Sequence, residues 1–238
     1  MGHGARGYAL RCAAGGLLHR ALGVGSRAAY LGLTYSAFNL GLSAGVGSIV
    51  ASTNPLVLAL VAPWLLKEPL TWRKGLGLLL GFAGVVFVTL ARSGLTTDRP
   101  PEVALSLLGV CSNVASTILF KRARGPMDLL AINTIQLLTA GLVLIPVAWL
   151  LEGDPAFSLT AAVVASFVYL VAVLSVGASL LWFALLSHGA ASRVSAFYFL
   201  TPIFGLAFGA LFLGETVGPS DAPGLVAVAL GIILVQRS

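Results

Sequence analysis

The segment NPLVLALVAPWLLKEPLTWRKGLGLLLGFAGVVFV, residues 54–88, returns in altered form as TPIFGLAFGALFLGETVGPSDAPGLVAVALGIILV at residues 201–235. An offset of 147 residues, which carries position 54 to position 201, aligns the two segments without a gap. Identical pairs in this register include Pro55 with Pro202, Glu68 with Glu215, Gly77 with Gly224, Gly84 with Gly231, Ala44 with Ala191 and Ser48 with Ser195. A proline, a glutamate and two glycines repeated at one fixed spacing indicate an internal duplication.

The composition places both copies in a membrane. Of the 238 residues, 58% are hydrophobic and 9% are charged, and the mean hydropathy is +0.99. A soluble domain is roughly a quarter charged. So few charged side chains do not cover the surface of a soluble protein of this size, whereas lipid accepts apolar surface. The chain is therefore predicted to fold in a bilayer.

Proline, glycine or charge divides the chain into apolar runs of the length that crosses a bilayer, about 20 residues. These runs predict an all-α, polytopic membrane helix bundle of about eight transmembrane helices. The predicted spans are 22–41, 46–66, 75–91, 103–120, 129–150, 160–187, 194–213 and 221–236.

The basic residues give these spans a direction, because cytoplasmic loops of membrane proteins carry an excess of lysine and arginine. In the eight-span arrangement every basic residue except Arg92 and Arg99 falls on one side of the bilayer. The opposite side carries Asp98, Glu102, Glu152, Asp154, Glu215 and Asp221. Both termini are therefore predicted to be cytoplasmic, in a bacterial inner membrane, and the matched Glu68 and Glu215 fall on opposite sides, as an inverted repeat requires.

The net charge of +6 does not predict nucleic-acid binding, because the basic residues lie in short clusters at the ends of apolar runs. The two cysteines, Cys12 and Cys111, are far apart and show neither metal-ligand spacing nor a disulfide framework. Both are interpreted as small apolar fillers. The sequence predicts no metal site and no cofactor.

The two halves resemble the EamA-type permeases of the drug/metabolite transporter superfamily. The resemblance rests on an apolar helix with a proline at mid-membrane, a short Gly-Glu loop and a glycine-rich last helix. The second half matches this pattern, and the first half matches it with Lys67 where glycine is usual. The resemblance covers about residues 28–236 and implies ten helices in two five-helix repeats. It also implies movement of a small metabolite, amino-acid-like or another small organic solute, by export.

The register of the repeat sets the expected boundaries. Residues 22–91 are predicted as a partial first repeat of three helices, and residues 103–238 as a second repeat of five. An extracytoplasmic linker at 92–102 joins them, and a cytoplasmic or remnant segment at 1–21 precedes them. Relative to the ten helices that the resemblance implies, two helices of the first repeat are missing. This leaves open a non-transporting remnant as well as an active permease, and a homodimer as well as a monomer.

Neutral polar side chains near the middle of the predicted spans are the candidates for a substrate cavity, because no Asp, Glu or Lys lies at the centre of any span. They are Tyr35, Asn39, Thr53, Asn54, Asn133, Gln136, Trp182, Tyr198 and Thr201. Pro55 and Pro202 are the candidate helix breaks, which either free carbonyls for a midplane site or kink a packed helix. Interhelical hydrogen bonding for Asn133 and Gln136, and space filling for Trp182 and Tyr198, are the alternatives.

An integral-membrane enzyme is the competing class of function. Such an enzyme needs paired acids, a metal-binding set or a serine activated by a base. The acids here lie in loops or at helix ends, and His3, His19 and His188 do not cluster in the sequence. We therefore expect no enzyme, but a permease that binds a small molecule, sits in the lipid bilayer and works by alternating access.

Overall fold

The computed structural model describes residues 26–93, 100–122, 128–153, 159–213 and 218–238, and the regular structure in these ranges is helical. Helix α1 covers residues 26–39. The other helices are α2 (Ala44–Ala51), α3 (Asn54–Leu65), α4 (Trp72–Ser93), α5 (Pro100–Arg122), α6 (Leu129–Glu152), α7 (Ala161–Tyr169), α8 (Ser179–His188), α9 (Ala191–Ser195), α10 (Thr201–Leu213) and α11 (Ala222–Gln236). A π-helix, Leu170–Ala178, joins α7 to α8, and 3₁₀ segments occupy Ala196–Leu200 and Pro219–Asp221.

Six helical runs in the described residues are long and apolar enough to cross a membrane. They are Gly45–Leu65, Trp72–Ala91, Pro100–Arg122, Leu129–Leu150, Ala161–His188 and Pro219–Gln236. Each coincides with a predicted span. The other two predicted spans, 22–41 and 194–213, overlap α1 and the run from α9 to α10. The total of eight stays a prediction.

Three of the predicted spans contain a change of helix type. The span 46–66 is interrupted at Ser52 and Thr53, the span 160–187 contains the π-helix, and the span 194–213 contains the 3₁₀ segment before α10. The first and third of these changes lie directly before Pro55 and Pro202, the candidate helix breaks, whereas the π-helix was not predicted. Hydropathy reports the length of an apolar run but not the hydrogen-bond register of its backbone, so it does not detect such changes.

The described residues belong to two compact units. Unit I comprises Met1–Ala29 and Ala115–Gly189, and unit II comprises Tyr30–Val114 and Ala190–Ser238. Helix α5 contributes residues to both units. The candidate site residues divide between the units, so each unit is described separately.

Unit II is built around the close contact of α4 with α11. A methyl group added to Gly77 would lie 2.7 Å from the carbonyl oxygen of Gly231, and one added to Gly84 would lie 2.6 Å from that of Gly224. The two backbones therefore touch, as small residues permit between membrane helices. Beside this contact the ring of Phe199 packs on Gly81, within a fully buried cluster that also contains Ala59, Leu78, Val85, Ala196, Val228 and Val235.

In unit I, side chains of α5 hold the end of α8. The rings of Phe120 and Phe183 stack with their centroids 4.8 Å apart. The ammonium group of Lys121 donates to the carbonyl oxygens of Leu186 (2.9 Å) and Gly189 (2.8 Å), which satisfies the carbonyl end of α8 and complements its dipole. None of the residues of α7 or of the π-helix is buried within the chain. An exposed apolar helix of this kind is suited to lipid contact.

Candidate substrate site

The first break in unit II separates α2 from α3. Pro55 has no N–H group, so the carbonyl of Ala51, four residues earlier, lacks its helical donor. The hydroxyl of Ser52 donates to the carbonyl of Ser48 (2.8 Å), and the hydroxyl of Thr53 donates to that of Val50 (2.6 Å). These side chains return hydrogen bonds to the end of α2. Thr53 therefore stabilises the break by contacts along its own chain.

Asn54 stands at the break and is almost completely buried, at 3% exposure. Its Oδ1 atom has no hydrogen-bond partner in the structure. Leaving a buried polar acceptor without a partner costs about 1–3 kcal/mol. A buried amide oxygen at a helix break is therefore a candidate acceptor for a donor group of a bound solute.

The second break in unit II lies at Ala196–Leu200, which the 147-residue register aligns with residues 49–53. The 3₁₀ segment Ala196–Leu200 ends where α10 begins at Thr201. Tyr198 lies on this segment, and its hydroxyl accepts a hydrogen bond from the amide of Asn113 at 3.0 Å. Asn113 is buried and Tyr198 is half-buried, so the phenol is held at one position beside the break.

The structure does not bring all the candidates of unit II together. Tyr35 is 67% exposed, and Asn39 and Thr201 are also exposed. The burial of the side chain of Pro202 is outside the description, although its backbone is helical. Thr53, Asn54, Pro55 and Tyr198 are the members of the set that lie at the two breaks with buried or half-buried side chains.

A charged network, absent from the predicted sites, joins the α3–α4 loop to α9. The carboxylate of Glu68 accepts from the N–H of Ala191 (2.7 Å), the N–H of Ser192 (3.0 Å) and the hydroxyl of Ser192 (2.7 Å). The ammonium of Lys74 donates to the same hydroxyl at 3.0 Å and to the carbonyl of Pro69 at 3.0 Å. These contacts hold the α3–α4 loop against the start of α9. Glu215, which the 147-residue register aligns with Glu68, lies outside the described residues.

The candidates of unit I lie on α6 and α8. The amide of Asn133 on α6 donates to the backbone carbonyl of Ser175 in the π-helix at 3.0 Å. Gln136, three residues further along α6, shares that face and is 4% exposed, and its Oε1 atom has no partner. Asn133 thus makes the interhelical hydrogen bond that was one of its two readings. Trp182 is half-buried on α8.

Arg27 belongs to the same unit and was not predicted as a site residue. Its Nη2 donates to the hydroxyl of Ser179 at 3.0 Å, and its Nε is buried without a partner. In the eight-span prediction Arg27 is one of the basic residues counted on the cytoplasmic side. Its partner is 152 residues away in the chain, and no sequence spacing reveals such a contact.

The described residues contain no group of three or more His, Cys, Asp or Glu side chains arranged to hold a metal ion. His188 bonds locally, with its Nδ1 2.9 Å from both the hydroxyl of Ser187 and the carbonyl of Ala184. Cys111 is a free, exposed thiol. In the described part of the chain, the buried side-chain atoms without a hydrogen-bond partner are Asn54 Oδ1, Gln136 Oε1 and Arg27 Nε.

Comparison with known families decides what kind of molecule carries these breaks. The EamA-like transporter family matches residues 18–90 and 101–237. The chain belongs to the EamA-like transporter family. The family match covers both halves, in agreement with the resemblance deduced from residues 28–236, and makes this chain a multi-pass membrane protein of a transporter family.

The curated relatives of this EamA-like chain include proteins named as transporters. It is 29% identical to "Uncharacterized transporter YvbV" of Bacillus subtilis (strain 168) over 208 residues, which is 87% of this chain and 65% of the relative. It is 29% identical to "Protein PecM" of Dickeya dadantii (strain 3937) over 196 residues, which is 82% of this chain and 65% of that protein. The chain therefore spans just under two thirds of the length of these relatives.

A solved crystal structure shares the fold of the EamA-like chain. The two superimpose with a TM-score of 0.79 at 20% sequence identity, over 92% of this chain and 75% of the other. At this identity the likeness establishes the helical architecture. The solute is a separate question, which depends on the residues of the site.

Proposed function

We propose that this chain acts as a permease that moves a small organic solute out of the cell by alternating access. The observation that carries the proposal is the pair of helix breaks in unit II, at Ser52–Thr53 before Pro55 and at Ala196–Leu200 before Pro202. Interrupted helices at corresponding positions of two halves are where secondary transporters build their sites. Freed backbone groups there bind solute without any covalent chemistry.

The packing of α4 on α11 supports an inverted repeat beneath these breaks. In the 147-residue register Gly77 corresponds to Gly224 and Gly84 to Gly231. In space Gly77 meets Gly231 and Gly84 meets Gly224. Gly77 therefore contacts the residue that the register pairs with Gly84, and Gly84 contacts the residue that the register pairs with Gly77. A two-fold axis produces such reciprocal contacts. Two halves related in this way have equivalent inward-open and outward-open arrangements, which is what alternating access uses.

The network of Glu68, Ser192 and Lys74 supplies a closing contact for one face of the permease. Glu68 and Lys74 flank the connection from α3 to α4 in the first half, and Ser192 begins α9 in the second half. The contact therefore joins the two halves of the repeat. The loop-charge pattern assigns it to the cytoplasmic side. Opening the cavity toward the cytoplasm would break these hydrogen bonds, and closing would re-form them.

Transport by the purified chain in proteoliposomes tests this function. We would follow the movement of a panel of amino acids, organic acids and neutral metabolites, and expect saturable flux of at least one of them. Absence of flux for the whole panel would contradict the permease.

Matched proline variants test the role of the breaks. Replacing Pro55 by alanine restores an N–H donor for Ala51 and favours a continuous helix, so P55A should lower flux while the protein remains folded. Pro63 lies inside α3, which continues through it, so P63A is the control and should retain flux. Equal flux in wild type, P55A and P63A would show that the break has no part in transport.

A further inference from the structure

We propose that Arg27 in unit I anchors the carboxylate of the transported solute, with Ser179 fixing the guanidinium and Gln136 serving as an acceptor for the rest of the molecule. The inference rests on the proposed permease function and names the substrate class, a small organic acid or amino acid.

The first observation is the depth of the Arg27 guanidinium along a candidate membrane span. Ser179, which accepts from Arg27 Nη2 at 3.0 Å, belongs to the candidate span Ala161–His188. It lies nine residues before the end of that span, about 14 Å along the helix axis. The guanidinium is therefore inside the span, although Arg27 is near the start of α1. Arginine at such a depth is costly and marks solute or ion pathways in membrane proteins.

Among the residues whose side chains the structure describes, no acid of unit I forms an ion pair with Arg27. Asp128 and Glu152 lie at the two ends of α6, and Asp154 lies outside the described residues. Asp128 is exposed, and its Oδ1 accepts from the N–H groups of Leu130 (2.9 Å) and Ala131 (3.2 Å), so it caps its own helix. Glu152 is the last residue of the same 24-residue helix, about 35 Å from Asp128 along the helix axis.

The bonding capacity of the guanidinium points to a planar oxyanion. Ser179 takes one hydrogen bond from Nη2, while the buried Nε–H has no partner among the described residues. An arginine edge with a vacant N–H donor matches a carboxylate or phosphate, because two parallel N–H···O bonds fit its geometry. A phosphate carries about −1.5 to −2 charges at pH 7 and would leave excess charge beside one arginine. A single carboxylate balances it, so we assign the site to carboxylates.

The backbone around the site is irregular where the solute would bind. The π-helix Leu170–Ala178 ends directly before Ser179, and the Ser179 hydroxyl donates to the carbonyl of Leu174, five residues back, at 3.4 Å. π-Helical turns occur frequently at functional sites. One turn before Ser179, the carbonyl of Ser175 binds Asn133, and Gln136 follows Asn133 on the same face of α6.

Gln136 provides the second, independent indication of a ligand. Its side chain is 4% exposed, and its Oε1 is an acceptor without a partner in the structure. A buried acceptor of this kind is satisfied by a donor such as the ammonium or hydroxyl group of a solute. Trp182, one turn beyond Ser179 on α8, lies on the same helix face as the serine. Arg27 Nε thus offers a donor for a carboxylate, and Gln136 Oε1 offers an acceptor for a donor group of the solute.

Binding to the full chain purified in detergent tests the site. The probes are L-alanine, L-lactate and succinate, with alaninamide and lactamide as neutral-amide counterparts, and inorganic phosphate, and the readout is the shift of the thermal unfolding midpoint with ligand concentration. At least one carboxylate should raise the midpoint where its amide does not. No shift with any carboxylate, or an equal shift with the amides or with phosphate, would overturn the assignment.

Two arginine variants that each remove one positive charge distinguish binding at Arg27 from a general effect of the net charge. R27Q should weaken carboxylate binding about ten- to hundredfold, the loss expected for a charge-assisted hydrogen bond. R73Q is the control, because Arg73 is exposed and lies over the ring of Trp72, 5.7 Å from its centroid. Should R27Q not fold, S179A and Q136L carry the test, and unchanged binding in both would overturn the proposal.

Flux measurements test the carboxylate site and the permease function independently of each other. Carboxylate binding that R27Q abolishes, together with no flux in wild type, would support the site and overturn the permease. Carboxylate flux with the same KM in wild type and R27Q would support the permease and overturn the site.

Discussion

Lys67 occupies a backbone conformation that favours glycine. Its φ is +57°, the left-handed region, at the turn that leaves α3, where the N–H of Glu68 donates to the carbonyl of Ala62 at 3.3 Å. A non-glycine residue there costs about 1–2 kcal/mol. The equivalent position in the second half holds Gly214. The departure from the Gly-Glu pattern at Lys67 is therefore a source of strain beside the Glu68 network.

The strain predicts that K67G stabilises the protein. Relief of the left-handed cost outweighs the greater chain entropy of glycine in the unfolded state, so the net gain should be about 0.5–1 kcal/mol, seen as a higher unfolding midpoint in detergent. K67A is the control, since alanine removes the charge but keeps the strain, and it should give no gain. Equal stabilisation by the two substitutions would assign the effect to charge instead.

Glu68 and Ser192 should be energetically coupled. Their charge-assisted hydrogen bonds predict a coupling free energy of about 1–3 kcal/mol in a double-mutant cycle of E68A and S192A, measured by unfolding in detergent. E68A with T89V is the matched pair for comparison, because Thr89 lies toward the other end of α4 and its hydroxyl contacts Ser48 instead, at 3.2 Å. That pair should be additive to about 0.5 kcal/mol. A coupling no larger than this for Glu68 and Ser192 would contradict the closing contact.

Single residues also show where sequence reasoning reaches its limit. Asn54 was predicted for the site because it is polar at mid-span, and a polar group in lipid needs protein or water around it. Arg27 was counted with the cytoplasmic basic residues, because basic residues at the ends of apolar runs indicate that side of the bilayer. Arg27 became a candidate site residue only through its contact with Ser179, and that contact depends on the tertiary fold.

Among the helices, α4 and α11 give the sharpest structural prediction. In G84A the new methyl would lie 2.6 Å from the carbonyl oxygen of Gly224, and in G231A it would lie 2.5 Å from the backbone nitrogen of Gly81. Backbone atoms do not move aside like flexible side chains, so the helices must separate. We expect each variant to lose about 1–3 kcal/mol, the usual cost of overpacking, measured as a lower unfolding midpoint.

Gly75 offers the control on the same helix. A methyl added there meets nothing within 4 Å, and alanine has a higher helix propensity than glycine. G75A should therefore be neutral or up to about 1 kcal/mol more stable. If G75A were as destabilised as G84A, the loss would reflect glycine replacement in α4 in general, and the close backbone contact would not be its cause.

The helices themselves were largely predictable, for a physical reason. A chain in lipid must satisfy its backbone polar groups within each helix, so every span is a long apolar run that hydropathy detects, as at Leu129–Leu150. Pro55 also signalled a break, because it removes a donor. The π-helix Leu170–Ala178 contains no proline, and its different hydrogen-bond register leaves no mark in an equally apolar sequence. Its presence emerged only from the structure.

For the molecule as a whole, the distribution of lysine and arginine predicts that both termini face the cytoplasm. Single cysteines introduced into a C12S/C111S background test this, with a membrane-impermeant maleimide added to intact cells. T97C, between the predicted third and fourth spans, should be labelled. G125C and S238C, in the fourth-to-fifth connection and at the C-terminus, should be labelled only after the cells are permeabilised.

The inverted repeat also depends on this topology. Glu68 and Glu215 are equivalent in the 147-residue register, and only an odd number of spans between them places them on opposite faces. Of the predicted spans, five lie between these two residues, from 75–91 to 194–213. L66C and G214C extend the labelling to the positions beside each glutamate. Labelling of G214C but not L66C in intact cells is expected, and equal labelling of the two would remove the inverted repeat and with it the symmetry argument for alternating access.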